Sequence, residues 1–229
     1  MVKISALISL VFVVLSFIAA TIAFSSYWYY MKIETTNNGM TTTTTTYLKY
    51  NQAKLMLEMG GNKQTVIGDY TSDMKSSMKH QLEIFNASLA FDILGWITLV
   101  IASVLISLQA VGKLSLIPIP MISLISKCIL IVSTVFLMIS MFVFCGLSNA
   151  RSNDCKDQMS ASSSTTGFDS CDSDYYKSFT GEVNAGGQYM KWGPHLSFGA
   201  VVVASGLSLI ACIITFVCGV FVNEETIGK

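Results

Sequence analysis

ISALISLVFVVLSFIAATIAF, residues 4–24, runs for twenty-one positions without a charged side chain. A hydrocarbon core about 30 Å thick takes roughly 20 helical residues to cross, and lipid offers the backbone no hydrogen-bond partner, so such a run reads as a membrane-spanning helix. Three more runs of this kind follow, at 89–112, 128–147 and 196–222, and among these only 89–112 holds a charged residue, Asp92. Across the 229 residues, 52% are apolar, 12% are charged and the mean hydropathy is +0.58, which is membrane-class composition. The first run has a rival reading. Lys3 ahead of an apolar stretch ending in Ala19, Ala20 and Ala23 also has the form of a cleavable signal peptide, although the apolar stretch is long for one.

Working outward, four spans divide the chain into a first span at 1–24, a large loop at 25–88, a second span at 89–112, a linker at 113–127, a third span at 128–147, a second loop at 148–195, a fourth span at 196–222 and a tail at 223–229. Both large loops then share one side. Lys113 and Lys127 in the linker, with Lys3 and Lys229, assign the termini to the cytoplasm and the loops to the outside. Tyr27 to Tyr30, Trp96, Tyr189 and Trp192 fall near the outer span ends, where amphipathic rings favour the interface. Asp92 belongs to the same level and is expected to reach headgroups or a neighbouring helix end.

The first loop has strand chemistry. An aromatic and β-branched stretch at 27–34 leads through a Thr-Thr-Asn-Asn-Gly turn into the Thr- and Tyr-rich stretch 41–50, and a second pair at 54–59 and 64–70 flanks Gly60-Gly61-Asn62. The run of six threonines at 41–46 also admits a low-complexity spacer, since a homopolymeric strand sets its register poorly. After Thr71, an N-cap candidate, Met74, Met78, Leu82 and Phe85 follow helical period and lead into the second span. The second loop begins polar around 160–167, offers an aromatic strand at 175–179 and continues Gly-rich at 181–187. Pro118 and Pro120 interrupt the linker. The fold class expected is a four-helix transmembrane bundle with a small extracellular β-sheet formed by the two large loops.

Six cysteines sort by environment. Cys155 and Cys171 share the second loop and form the natural disulfide pair, with Cys145–Cys155 as the competitor. Cys128, Cys145, Cys212 and Cys218 read as small buried hydrophobes, Cys128 and Cys218 also as palmitoylation candidates near the inner face. His80 and His195 are isolated, and no C-x-x-C occurs, so zinc is not indicated. No nucleophile elbow, P-loop, zincin or dinucleotide fingerprint appears, and no cofactor or small-molecule substrate is indicated; the expectation is a protein that is not an enzyme. Zero formal net charge without a basic face argues against nucleic acid. In the fourth span Ala200, Ala204, Ser208 and Cys212 recur every four residues, a face for close helix packing within the bundle or between copies. Asn86-Ala87-Ser88 is a glycosylation sequon that lies so close to the second span that it is expected to stay unmodified.

Short inner termini, a long first loop of strands then helix, and a smaller second loop resemble the claudin and peripheral-myelin-protein superfamily of tetraspan proteins in topology along the whole chain. Trp28 stands where the first-loop Trp of claudins is expected, but that loop holds no cysteine, and a cysteine pair confined to the second loop is more similar to the occludin and MARVEL group. The resemblance implies a structural, adhesive or membrane-organising role at the plasma membrane. Its partners would be the lipid bilayer, other copies of the chain or other membrane proteins. An accessory subunit of a channel or transporter is the alternative.

Overall fold

The computed structural model describes residues 4–37, 39–114, 121–161, 171–185, 187–218 and 220. Lys3, Asn38, Pro118, Pro120, residues 162–170, positions 219, 221 and 222 of the fourth run and the tail 223–229, which all entered the reading above, lie outside that set.

Four helices are long and apolar enough to cross a membrane: α1 (Ile4–Ser25), α3 (Lys79–Ala110), α4 (Ile122–Cys145) and α7 (Leu196–Val217). Two boundaries differ from expectation. The third helix starts at Ile122 rather than 128, so the end of the predicted linker is helical, and it stops at Gly146. The fourth ends its helical run at Val217. The helix expected to run from Thr71 directly into the second span is instead two pieces, α2 (Ser72–Ser77) and α3, separated at Met78. Thr71 caps α2, its hydroxyl accepting the Met74 amide at 3.3 Å.

The strands are β1 (Tyr29–Asn37), β2 (Met40–Leu48), β3 (Gln52–Met59), β4 (Asn62–Asp69), β5 (Gly181–Ala185) and β6 (Gln188–Pro194). They form one antiparallel sheet in the order β4-β3-β2-β1-β6-β5, so β1 is paired on one side by its own hairpin and on the other by the second loop. The threonine run is a paired strand, held in register by Ile33 opposite Thr44 and Thr44 opposite Leu57. Gly60 and Gly61, with φ of 57° and 82°, make the two-residue turn between β3 and β4 that L side chains resist.

Residues 147–161, of which only the last few fall in the stretch expected to be polar, form helix α5 (Leu147–Ala161), and the stretch around 175–179, expected as a strand, holds the short helix α6 (Asp174–Lys177) instead. Tyr175 and Tyr176 do not pair in the sheet; an extended Ser173 and the acidic Asp174 open a helical turn instead.

The chain divides into two compact units. The helical unit comprises 1–24, 90–140 and 200–229. Its core holds Val13, Ala20, Leu99, Ile106, Leu130, Leu137, Ala204 and Ala211. Hydroxyls bridge its helices: Ser16 donates to the Ala204 carbonyl at 2.7 Å, Ser9 lies 2.9 Å from Thr215, and Thr134 lies 2.7 Å from Ser208. At Gly95 a Cβ would stand 2.8 Å from Leu137, so the absent side chain permits that approach of α3 and α4.

The sheet unit comprises 25–89 and 141–199. Alternation along the strands gives the sheet one apolar face, with Tyr29, Met31, Ile33, Leu48, Leu55, Leu57 and Trp192, and one charged face, with Lys32, Glu34, Lys54 and Lys191. Trp28, Tyr29 and Trp192 are fully buried in this unit, so these rings are core and not the membrane-interface belt expected of them. Phe144 is the hub, with ring centroids 4.9 Å from Trp28, 5.4 Å from Phe85, 5.7 Å from Phe179 and 5.6 Å from Phe198.

Candidate functional site

The chain has fourteen basic residues, and Arg151 is the only arginine among them. It lies on α5 with 2% of its surface exposed. Its guanidinium is sandwiched between the Tyr29 ring at 4.8 Å and the Tyr175 ring at 4.4 Å, a cation–π arrangement strengthened by the loss of water. Nη1 donates to the Tyr175 carbonyl at 2.5 Å and Nη2 to the Tyr29 hydroxyl at 2.6 Å. That hydroxyl in turn donates to the Phe179 carbonyl at 2.7 Å. Burial pushes the Tyr29 phenol up to about 12, against the opposing pull of the guanidinium, and burial raises Tyr175 as well. Arg151 thereby fastens α5 to β1 and α6.

One helical turn on, Asp154 is also buried, and both its oxygens are used. Oδ1 accepts the His80 amide at 2.8 Å; Oδ2 accepts the Gln81 amide and the Gln81 side-chain Nε2, each at 3.0 Å. These amides belong to the first turn of α3, where unpaired N–H groups and the helix dipole favour an anion, so a residue of α5 caps α3.

Between the apolar sheet face and these helices lies a cavity of about 260 Å³. Its walls combine Met31, Leu48, Ala53, Tyr70, Met74 and Met78 with Arg151, Asp154, Gln81 and Gln158. Tyr70 donates to the Lys49 carbonyl at 2.8 Å, and burial pushes its phenol up to about 12. Cavities that hold small molecules share this character: mostly apolar walls with a few convergent polar groups.

Cys155 also lines the cavity and is bonded to Cys171, with Cα atoms 5.7 Å apart, so the pair expected from the sequence is the pair formed. Cys145 is free, which removes the competing bridge. Ala200, Ala204, Ser208 and Cys212 are all buried on one face of α7; Thr134 contacts both Ser208 and Cys212, at 2.7 and 3.6 Å. Asn86 is exposed on α3, beside Lys79, Leu82 and Glu83, in regular helix. Asp92 does not reach a surface or a helix end as expected: it is fully buried, and neither carboxylate oxygen has a hydrogen-bond partner among the described residues. His80 lies 3.1 Å from Asp157 and 3.4 Å from Glu83, and the His195 ring lies edge-on to Tyr47. Among the described residues no three His, Cys, Asp or Glu side chains are grouped to hold a metal.

Sequence reasoning singled out neither Arg151 nor Asp154. The signal was present in the uniqueness of Arg151, but its meaning depends on α5 being a helix, which places residues 151, 154 and 155 on one face.

No family model matches this chain. Nor does any curated protein match it.

Proposed function

We propose that this chain is a multi-pass membrane protein with a structural, adhesive or membrane-organising role, exercised through a folded extracellular sheet and lateral assembly, and that it is not an enzyme. The observation that carries the reading is the β1–β6 pairing, in which the loop before α3 and the loop before α7 share one hydrogen-bonded sheet. Hydrogen-bonded neighbours belong on one side of a bilayer, so with four crossings the termini belong on the other, and we assign them to the cytoplasm of a plasma-membrane protein. The topology remains similar to that of claudin-like tetraspan proteins, with the stabilising cystine moved to the second loop.

Lateral assembly is supported by the sheet edges. β4 and β5 are terminal strands, and every residue of β4 is exposed. An open edge of this kind presents unpaired N–H and C=O groups to another strand. Antiparallel pairing of β4 with a second copy, centred on Val66, sets Lys63 opposite Asp69 twice, a self-complementary register.

Oxidative cross-linking of Val66→Cys protein in intact cells tests this reading. The expected result is a covalent dimer formed more readily than with Glu182→Cys at the other edge. Monomer in both cases, with stoichiometric co-purification of a transporter, would replace assembly by an accessory-subunit role.

A further inference from the structure

The Arg151 cavity continues onto a part of the sheet that no described helix covers. Met31, Thr46 and Ala53 line the cavity. Along the same face, alternation and register place Leu55, Leu57 and Val66 on one side of the β2 threonines Thr44 and Thr46, and Ile33, Met190 and Val183 on the other. Leu55, Val66 and Val183 are 41%, 62% and 42% exposed. The strip extends to Met40 and Met59 at the far strand ends, about 20 Å from the cavity at roughly 3.3 Å per residue. Ala53, Leu55, Leu57 and Met59 along β3, with Val66 beside them on β4, form a continuous apolar strip, and such a strip on a protein surface marks a place where something binds.

What binds is indicated by the charge at the covered end. A guanidinium offers five N–H donors, and Arg151 uses two, on a carbonyl and a phenol. Among the described residues no carboxylate lies within ion-pairing distance of it, although it is buried. A buried cation without an anion is unfavourable, because stacked rings and neutral acceptors replace only part of its hydration. The other charge on the cavity wall, Asp154, is committed to three N–H donors of His80 and Gln81 and leaves Arg151 uncompensated. The cavity wall therefore presents a cation together with methionine and leucine side chains, complementary to an amphiphile with one anionic head.

We propose that this cavity seats the carboxylate of a long-chain fatty acid against Arg151, with the acyl chain lying along the apolar strip of β3 and flanked by the threonine methyl groups of β2. The carboxylate accepts the free guanidinium N–H groups, and the chain covers Leu55 and its neighbours. This site is independent of edge pairing through β4, whose hydrogen-bonding groups lie in the plane of the sheet and not on its face.

The test uses the full chain in phosphatidylcholine nanodiscs, labelled with a palmitic acid carrying a photoreactive diazirine at its chain end, with adducts located by peptide mass spectrometry. Adducts are expected on the β2 and β3 peptides. Unlabelled palmitate should compete about tenfold or more better than hexadecanol, because a charge-assisted hydrogen bond is lost with the alcohol. Ala53→Phe, which fills the cavity without touching Arg151, should abolish labelling while the Cys155–Cys171 bridge still forms, and Arg151→Gln should erase the preference for palmitate. Equal competition by hexadecanol, adducts confined to the four long helices, or labelling untouched by Ala53→Phe in disulfide-intact protein would each overturn the proposal. Stronger competition by hexadecyl phosphate would overturn the carboxylate in favour of a phosphate head.

Discussion

In the helical unit the buried face of α1 is made of Ala6, Ser9, Val13, Ser16 and Ala20, whereas the sheet unit fills its interior with Trp28, Tyr29, Phe85, Phe144 and Trp192. The contrast is the one expected of the proposed membrane setting. For helices in lipid, burying a large apolar side chain gains little, so they associate through close backbone approach and hydroxyl bridges. Where water is the alternative, each ring removes a large apolar area and contributes accordingly. The small residues of α1, which also suggest a signal-peptide end, thus have a packing role: Ala20 and Ala23 are fully buried.

The largest effect that sharpens this contrast should come from Phe144→Ala. It removes a ring that touches Trp28, Phe85, Phe179 and Phe198, and truncations of this type cost about 3–5 kcal/mol. Urea titration followed by tryptophan fluorescence should show the transition at markedly lower denaturant. A comparable loss after Val13→Ala in α1 would remove the distinction between the units.

Replacing both Cys155 and Cys171 by serine should cost about 3 kcal/mol, the chain-entropy value for a loop of this length. Limited trypsin digestion should then cut near Arg151 and Lys156 while the long helices stay intact. Cleavage spread equally through both units would contradict a locally acting bridge.

Alkaline pH should weaken the sheet unit next. Tyr29 and Tyr70 ionise near pH 12 when folded and near 10 when unfolded, so above pH 10 the unfolded chain releases protons first. Stability is full below pH 10 and falls on the order of 2 kcal/mol per tyrosine by pH 12. Tyr29→Phe should flatten the melting temperature measured across that window; an unchanged slope in the Tyr29→Phe, Tyr70→Phe double variant would count against this origin.

The smallest effect belongs to the helical unit. A double-mutant cycle of Thr134→Val and Ser208→Ala should return a coupling near 0.6 kcal/mol, typical of hydroxyl bridges between membrane helices. A value several times larger would mean that hydroxyl bridges, not close backbone approach, dominate packing there.

The parts of this fold legible in the sequence are those with strong local signals. Long apolar runs announced the four long helices, and Gly60-Gly61 announced a hairpin. Helix α5 was not legible, because LSNARSNDCKDQMSA carries no apolar period and takes its helical form from tertiary contacts. Strand propensity misled at Tyr175 and Tyr176, where an aromatic pair sits in a helical turn against Arg151 and Trp192. The cystine needed only compartment logic. The cavity needed the whole sheet register, since Met31, Leu48 and Ala53 share a face only once β1, β2 and β3 are aligned.

The central position of β1 also bears on biogenesis. Its partner β6 is made roughly 160 residues later, so a ribosome elongating at about 5–20 residues per second leaves Tyr29 and Met31 without β6 beside them for roughly ten to thirty seconds. The nascent chain must therefore hold a half-finished sheet, with one side of β1 unpaired, throughout that interval.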